Sequence, residues 1–173
     1  MGATIPYTES FRQAAIGARS GHRNDYQRTT SNMTNSSADP RLFEAAQNGR
    51  VPYALLKDAA IQSGRGAPDL LDELSYVVAS RYSANEIDFE VADAVMNALW
   101  AVCVSEEFWA DYDRPIPPAT IAVYAAFDAG EYYRETDPPG TDPEVKYTRP
   151  LIDAFLAEHD STRSYPAADS HQS

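Results

Sequence analysis

Residues 86–104 read EIDFEVADAVMNALWAVCV, and between Ala94 and Val104 a single polar residue, Asn97, interrupts an apolar run. The run is far shorter than the ~20 apolar residues a membrane span requires. A helix that is apolar all round is buried by its neighbours, so this stretch is expected to be the central helix of a helical bundle. Its first half keeps one polar face, with Glu86, Glu90, Asp93 and Asn97 at helical spacing.

The flanking punctuation is helical too. Upstream, Leu70, Leu71, Leu74, Val77 and Val78 form an apolar stripe in a helix opening at Pro68, with Asp69, Asp72 and Glu73 in its first turn, where carboxylates favour the macrodipole. Ser83–Ala84–Asn85–Glu86 matches a capping box and predicts the start of the central helix. Asp39–Pro40 reads as an N-cap with proline at the first helical position, opening RLFEAAQN before Gly49. VPYALLKDAAIQS is a second helix, closed by Gly64 as a left-handed C′ residue. Leu42, Ala45, Ala46 and Gly49 followed by Leu55–Leu56 match one ankyrin unit, but no second copy exists to stack on it. A plain pair of helices with a glycine corner is the expected reading.

Downstream, SEEFWADYD and the breaker RPIPP lead into ATIAVYAAFDAGEYY, a fifth helix with Gly130 near its end. Asp142–Pro143 opens the last helix, which Pro150 is expected to kink or to split after Thr148. No segment sustains a two-residue alternation. The fold class is therefore all-α, a single bundle of about six helices over residues 39–160. Residues 1–38, which include the polar run TTSNMTNSS, and residues 161–173 are expected to be disordered tails, with Met33 a possible natural start.

Charge narrows the function. The 173 residues carry 14 Lys and Arg against 26 Asp and Glu, a net charge of −12. Such a chain lacks the basic face that displaces counterions from nucleic acid, and it is repelled by anionic lipid. The opening MGATIPYTESFRQAAIGARS has no apolar secretory core, so the expected location is the cytoplasm. The single cysteine, Cys103, rules out an internal disulfide and a cysteine-cluster zinc site. His22, His159 and His171 form no ligand pair. Asp137, Asp142 and Glu144 supply oxygens but lack the spacing of a calcium loop. No nucleophile elbow and no ordered Ser/His/Asp set occurs. The chain is expected to need no cofactor and no metal, and not to be an enzyme.

What remains is a surface. From Glu86 to Asp160 there are 17 acids against four bases, and the stretch Tyr124–Tyr147 interleaves them with tyrosines. Tyrosine provides contact area at low entropy cost, and carboxylates steer a basic partner. Glu131, Tyr133, Glu135, Asp137 and Asp142 are the expected partner contacts. Ile121, Tyr124, Ala125, Asp128 and Tyr132 share one face of the fifth helix at 100° per residue. Asp128, Tyr124 and Tyr132, together with Trp100, are therefore expected to be structural and inward-facing.

The strings Tyr124–x–x–Phe127–Asp128–x–Gly130–Glu131–Tyr132 and Asp142–Pro143–x–x–Lys146–Tyr147–Thr148–x–Pro150–Leu151–Ile152 resemble the ends of small bacterial helical proteins of toxin-immunity type. The resemblance covers residues 120–157. It implies a cytoplasmic helical domain that neutralises a cognate toxin, and it transfers no catalytic residue. The leading expectation is a non-enzymatic acidic protein that masks a basic toxin or effector. The alternative is a chaperone or adaptor for a secreted effector, which would hold an extended segment in a broad apolar groove.

Overall fold

A computed structural model describes residues 39–113 and 116–163, with side-chain surroundings through residue 160. The segment 1–38 with Met33, the pair Arg114–Pro115 and residues 164–173 lie outside the described residues. Among the described residues the fold is all-helical: α1 Pro40–Gln47, α2 Tyr53–Ser63, α3 Ala67–Ser83, α4 Phe89–Cys103, α5 Glu106–Tyr112, α6 Pro118–Asp128, a π-turn Glu144–Thr148 and α7 Arg149–Arg163. Helices α3, α4 and α6 pack on one another at the centre. Helix α7 covers α3 and α6, α1 packs on α4, and α2 lies on α3.

The capping residues explain most boundaries. Asp39 accepts from the Arg41 N–H at 2.9 Å and opens α1. Gly64, at φ +66°, closes α2, and Arg65 N–H returns to the Ala60 carbonyl at 3.1 Å. Helix α3 ends at Ser83, the first residue of the expected capping box: Asn85 adopts φ +56°, with Asn85 N–H on the Tyr82 carbonyl and Glu86 N–H on that of Arg81. This is a Schellman closure with asparagine in the glycine position. The cap of α4 is instead Asp88, which accepts from Val91 N–H at 2.9 Å.

Helix α4 is central but not buried all round. Val95, Met96, Leu99, Val102 and Cys103 are buried, whereas Ala94, Asn97, Ala101 and Val104 face solvent. Two of those exposed residues are alanines, whose methyl groups cost little to leave in water. Trp100 is half-buried and stacks flat on Tyr124, with ring centroids 4.5 Å apart. Cys103 is fully buried, and burial pushes its thiol up to about 12, which makes it part of the core and a poor nucleophile.

Two differences from the sequence reading follow from local chemistry, and one expectation holds. SEEFWADYD holds a helix of its own, α5, because Ser105 accepts from Phe108 N–H at 3.2 Å and Glu106 and Glu107 occupy the first turn. Phe108 is buried, and Asp111 ties α5 to α2 by accepting from the Tyr53 hydroxyl at 2.6 Å and Lys57 at 2.9 Å. Helix α6 stops at Asp128, so Glu131, Tyr132 and Tyr133 are not helical. The last helix does divide after Thr148. A π-turn precedes Arg149, whose N–H reaches back five residues to the Glu144 carbonyl, and Pro150 then sits in the first turn of α7, where its missing N–H costs nothing.

The start of α6 is capped from another helix. Pro117 stands at its N-cap position and offers no side-chain acceptor. Asp72 of α3 takes that role, accepting from Thr120 N–H at 3.0 Å and the Thr120 hydroxyl at 3.3 Å. The buried Ser75 hydroxyl lies 3.0 Å from that of Thr120 and 2.9 Å from the Leu71 carbonyl. Burial pushes the Asp72 carboxyl up to about 6, against the opposing pull of the backbone N–H groups it caps.

Candidate partner-binding surface

The acidic, tyrosine-rich stretch forms a loop between α6 and the π-turn, held at both ends. At its root the chain turns at Gly130, whose N–H bonds to the Phe127 carbonyl at 2.8 Å. Gly130 is buried so tightly that an added methyl group would collide with the Thr148 hydroxyl and lie 3.1 Å from the Phe89 ring. Only glycine fits between α4 and the π-turn.

The base of the loop is organised by Asp137, whose side chain is 1% exposed. It accepts from Lys146 Nζ at 2.5 Å, from the Tyr147 hydroxyl and from Arg134 N–H at 2.8 Å. The Arg134 guanidinium lies over the Tyr147 ring, 3.5 Å from its centroid. These donors, Lys146 first, hold the Asp137 carboxyl down at about 2. Asp142 closes the far end as an N-cap, accepting from Val145 N–H at 3.3 Å. The expected partner contacts therefore divide. Glu131, Tyr133 and Glu135 are exposed; Asp142 is exposed but engaged as a cap; Asp137 faces inward, contrary to the expectation that the turn displays it.

The expected structural set divides as well. Tyr124 and Asp128 are half-buried, as is Trp100, but Tyr132 is 64% exposed because the helix that would have turned it inward ends before it. Tyr133 beside it is 72% exposed. Asp128 still has Tyr132 close by. It belongs to a group of three carboxyls that sequence reasoning missed: Asp93 of α4, Asp128 at the end of α6, and Glu131. Burial, with Glu131 and then Asp128 close by, pushes Asp93 up to about 6, and Asn97 donates to it at 2.9 Å. Burial and Glu131 raise Asp128 as well. The only sequence signal for this group was the polar face Glu86–Glu90–Asp93–Asn97, which says nothing of what packs against it.

The nearby cations are engaged within the fold. Lys146 goes to Asp137 and Arg134 to Tyr147, while Arg149 pairs with Glu144 at 2.9 Å and lies over the Tyr82 ring. Tyr82 also donates to Glu144, at 2.7 Å. These pairings send Asp137 and Glu144 to different partners, so Asp137, Asp142 and Glu144 do not converge on a cation. Among the described residues no group of three or more His, Cys, Asp or Glu side chains has the arrangement of a metal site. An open cleft of about 460 Å³ lies beside the π-turn, between the α3–α4 turn and Arg149. No described helix is long and apolar enough to cross a membrane. Comparison with protein-family models, curated proteins and solved structures finds no match to this chain.

Proposed function

We propose that this chain is a non-enzymatic protein that binds and masks a basic partner through the loop between α6 and the π-turn, as a cytoplasmic immunity protein does for its cognate bacterial toxin. One observation carries the reading. Tyr132 and Tyr133 stand 64% and 72% exposed on a loop whose base is fixed by Asp137, with Glu131 and Glu135 beside them. An exposed aromatic pair on a pre-ordered loop gives contact area without the entropy cost of ordering it on binding. The flanking carboxylates supply steering toward a positive surface.

The test is co-expression with the product of the neighbouring open reading frame. The wild-type chain should restore growth to cells that produce that protein, and a Tyr133→Ala, Glu131→Lys double variant should not. Undiminished protection by the double variant would place the contact elsewhere. If the partner is held only as an extended, unfolded segment, the chaperone reading takes precedence.

A further inference from the structure

We infer that the seam between α4 and α6, centred on the Trp100–Tyr124 stack, is a second contact surface for the partner, and that it seats an apolar segment carrying cations at both of its ends. The inference rests on the masking reading in taking the partner to be a separate basic protein, and it adds a surface which that reading does not use.

The two helices run antiparallel across this seam. Trp100 stacks on Tyr124 with ring centroids 4.5 Å apart and planes 9° from parallel, while at the start of α4 the Phe89 ring lies 5.7 Å from that of Phe127, near the end of α6. Residues 94–104 and 116–127 contain no charged side chain. Both stretches nonetheless reach the surface. Ala101 and Ala125, each next in sequence to a ring residue of the stack, are exposed; Val104 is 36% exposed, and the two rings are half-buried. On a chain with a net charge of −12, two adjoining helices that expose no charge over this length form an apolar patch in a charged surround. The rings at its centre hold each other in place, so a partner that covers them has little side-chain freedom to remove.

The ends of the seam define the occupant. Asp93 and Asp128 stand where α6 finishes, and the exposed Glu106 and Glu107 follow Val104 at the opposite end. From Asp93 to Val104 the helix rises about 16 Å. The matching segment is apolar in the middle, with Lys or Arg at each end at about that spacing. A second copy of this chain does not meet the requirement, because parallel and antiparallel pairings both set carboxylates against carboxylates.

The test uses the full chain and a synthetic amphipathic helical peptide with a leucine-rich centre and two arginines at each end; its control carries glutamates in their place. By NMR the arginine peptide should move the Trp100 indole signal and the Ala101 and Ala125 amide signals, and it should bind more weakly as salt rises. Ala101→Arg and Ala125→Arg should each lower its affinity about tenfold. Both positions are exposed and arginine suits a helix, so the fold should survive, which circular dichroism checks. The proposal is overturned if the arginine peptide fails to bind, binds without moving those signals, binds no better than the glutamate peptide, or keeps its affinity in both variants. A dimer seen by sedimentation and dissolved by Ala125→Arg would assign the seam to a second copy and overturn it too. In the growth assay the two surfaces fail separately. Protection lost in the Ala101→Arg, Ala125→Arg double variant but kept in Tyr133→Ala, Glu131→Lys would sink only the loop, and the opposite pattern would sink only the seam.

Discussion

The loop that presents Tyr132 and Tyr133 has carboxyl groups in opposite surroundings at its two ends. At the base, Asp137 sits among donors (Lys146, Tyr147 and the Arg134 N–H) that hold its carboxyl at about 2. At the root, Asp93 faces Glu131 and Asp128 and is pushed up to about 6. The residue type is the same; the neighbours differ. The base carboxyl keeps its charge down to about 2, whereas the root carboxyl takes up its proton at about 6.

The strongest way to break this arrangement is at the residue between root and helix. Gly130→Ala places a methyl group against the Thr148 hydroxyl and the Phe89 ring, and overpacking of this kind costs roughly 1–3 kcal/mol. Thermal melting should register the full loss. Adding Thr148→Ala should recover part of it by removing the colliding oxygen, so equal melting points for the single and double variants would contradict the packing described.

Next in size is the Trp100–Tyr124 stack beside the root. Trp100→Ala should cost about 1–2 kcal/mol by urea unfolding, since the ring is half-buried and the stack adds only a modest term to its area. A loss above about 3 kcal/mol, the scale of a fully buried aromatic, would show that α4 is enclosed on that side as well.

Titration separates the two ends without any substitution. Asp72 and Asp93 bind protons more tightly folded than unfolded, so stability should fall as pH rises from the ordinary carboxylate range through about 6. Asp137 has the opposite sign. Its stabilisation is complete above pH 4 and is lost as pH falls toward about 2. The chain should therefore unfold at a higher denaturant concentration at pH 5 than at pH 7.5, and Asp72→Asn should reduce the difference. A flat profile between those values would remove the distinction drawn between root and base. The smallest expected effect is local: Asp137→Asn should open residues 131–141 to proteases while shifting global melting little.

The sequence made the helices legible and the site only half so. Capping chemistry marked α1 and α2, and Pro150 marked the division at Thr148, because those signals are local. Ser83–Ala–Asn–Glu86 misled because it suits two local structures. Tyr82 is buried, so the serine is the last residue of α3 rather than a cap for the next helix, and Asn85 becomes the left-handed stop. The apolar run through α4 was read as buried on every side, since periodicity does not tell an alanine facing solvent from one facing the core. The helical extension through Glu131–Tyr133 failed because Gly130 is fixed by Thr148 and Phe89, contacts that exist only in three dimensions. The same holds for Asp72 as a cap on α6 and for the closeness of Glu131 to Asp93. The exposure of Glu131, Tyr133 and Glu135 could be read from composition; the inward turn of Asp137 could not.

The most direct measurement is the binding kinetics of the intact chain with the purified product of the neighbouring open reading frame, at low and at moderate salt. Glu131→Lys with Glu135→Lys should slow association and weaken its salt dependence, because steering charges act mainly on encounter. Tyr133→Ala should leave association nearly unchanged and speed dissociation, the signature of a contact buried at the interface. Association and dissociation rates identical to the wild type in all these variants, at both salt concentrations, would contradict the claim that the tyrosine loop is the binding surface.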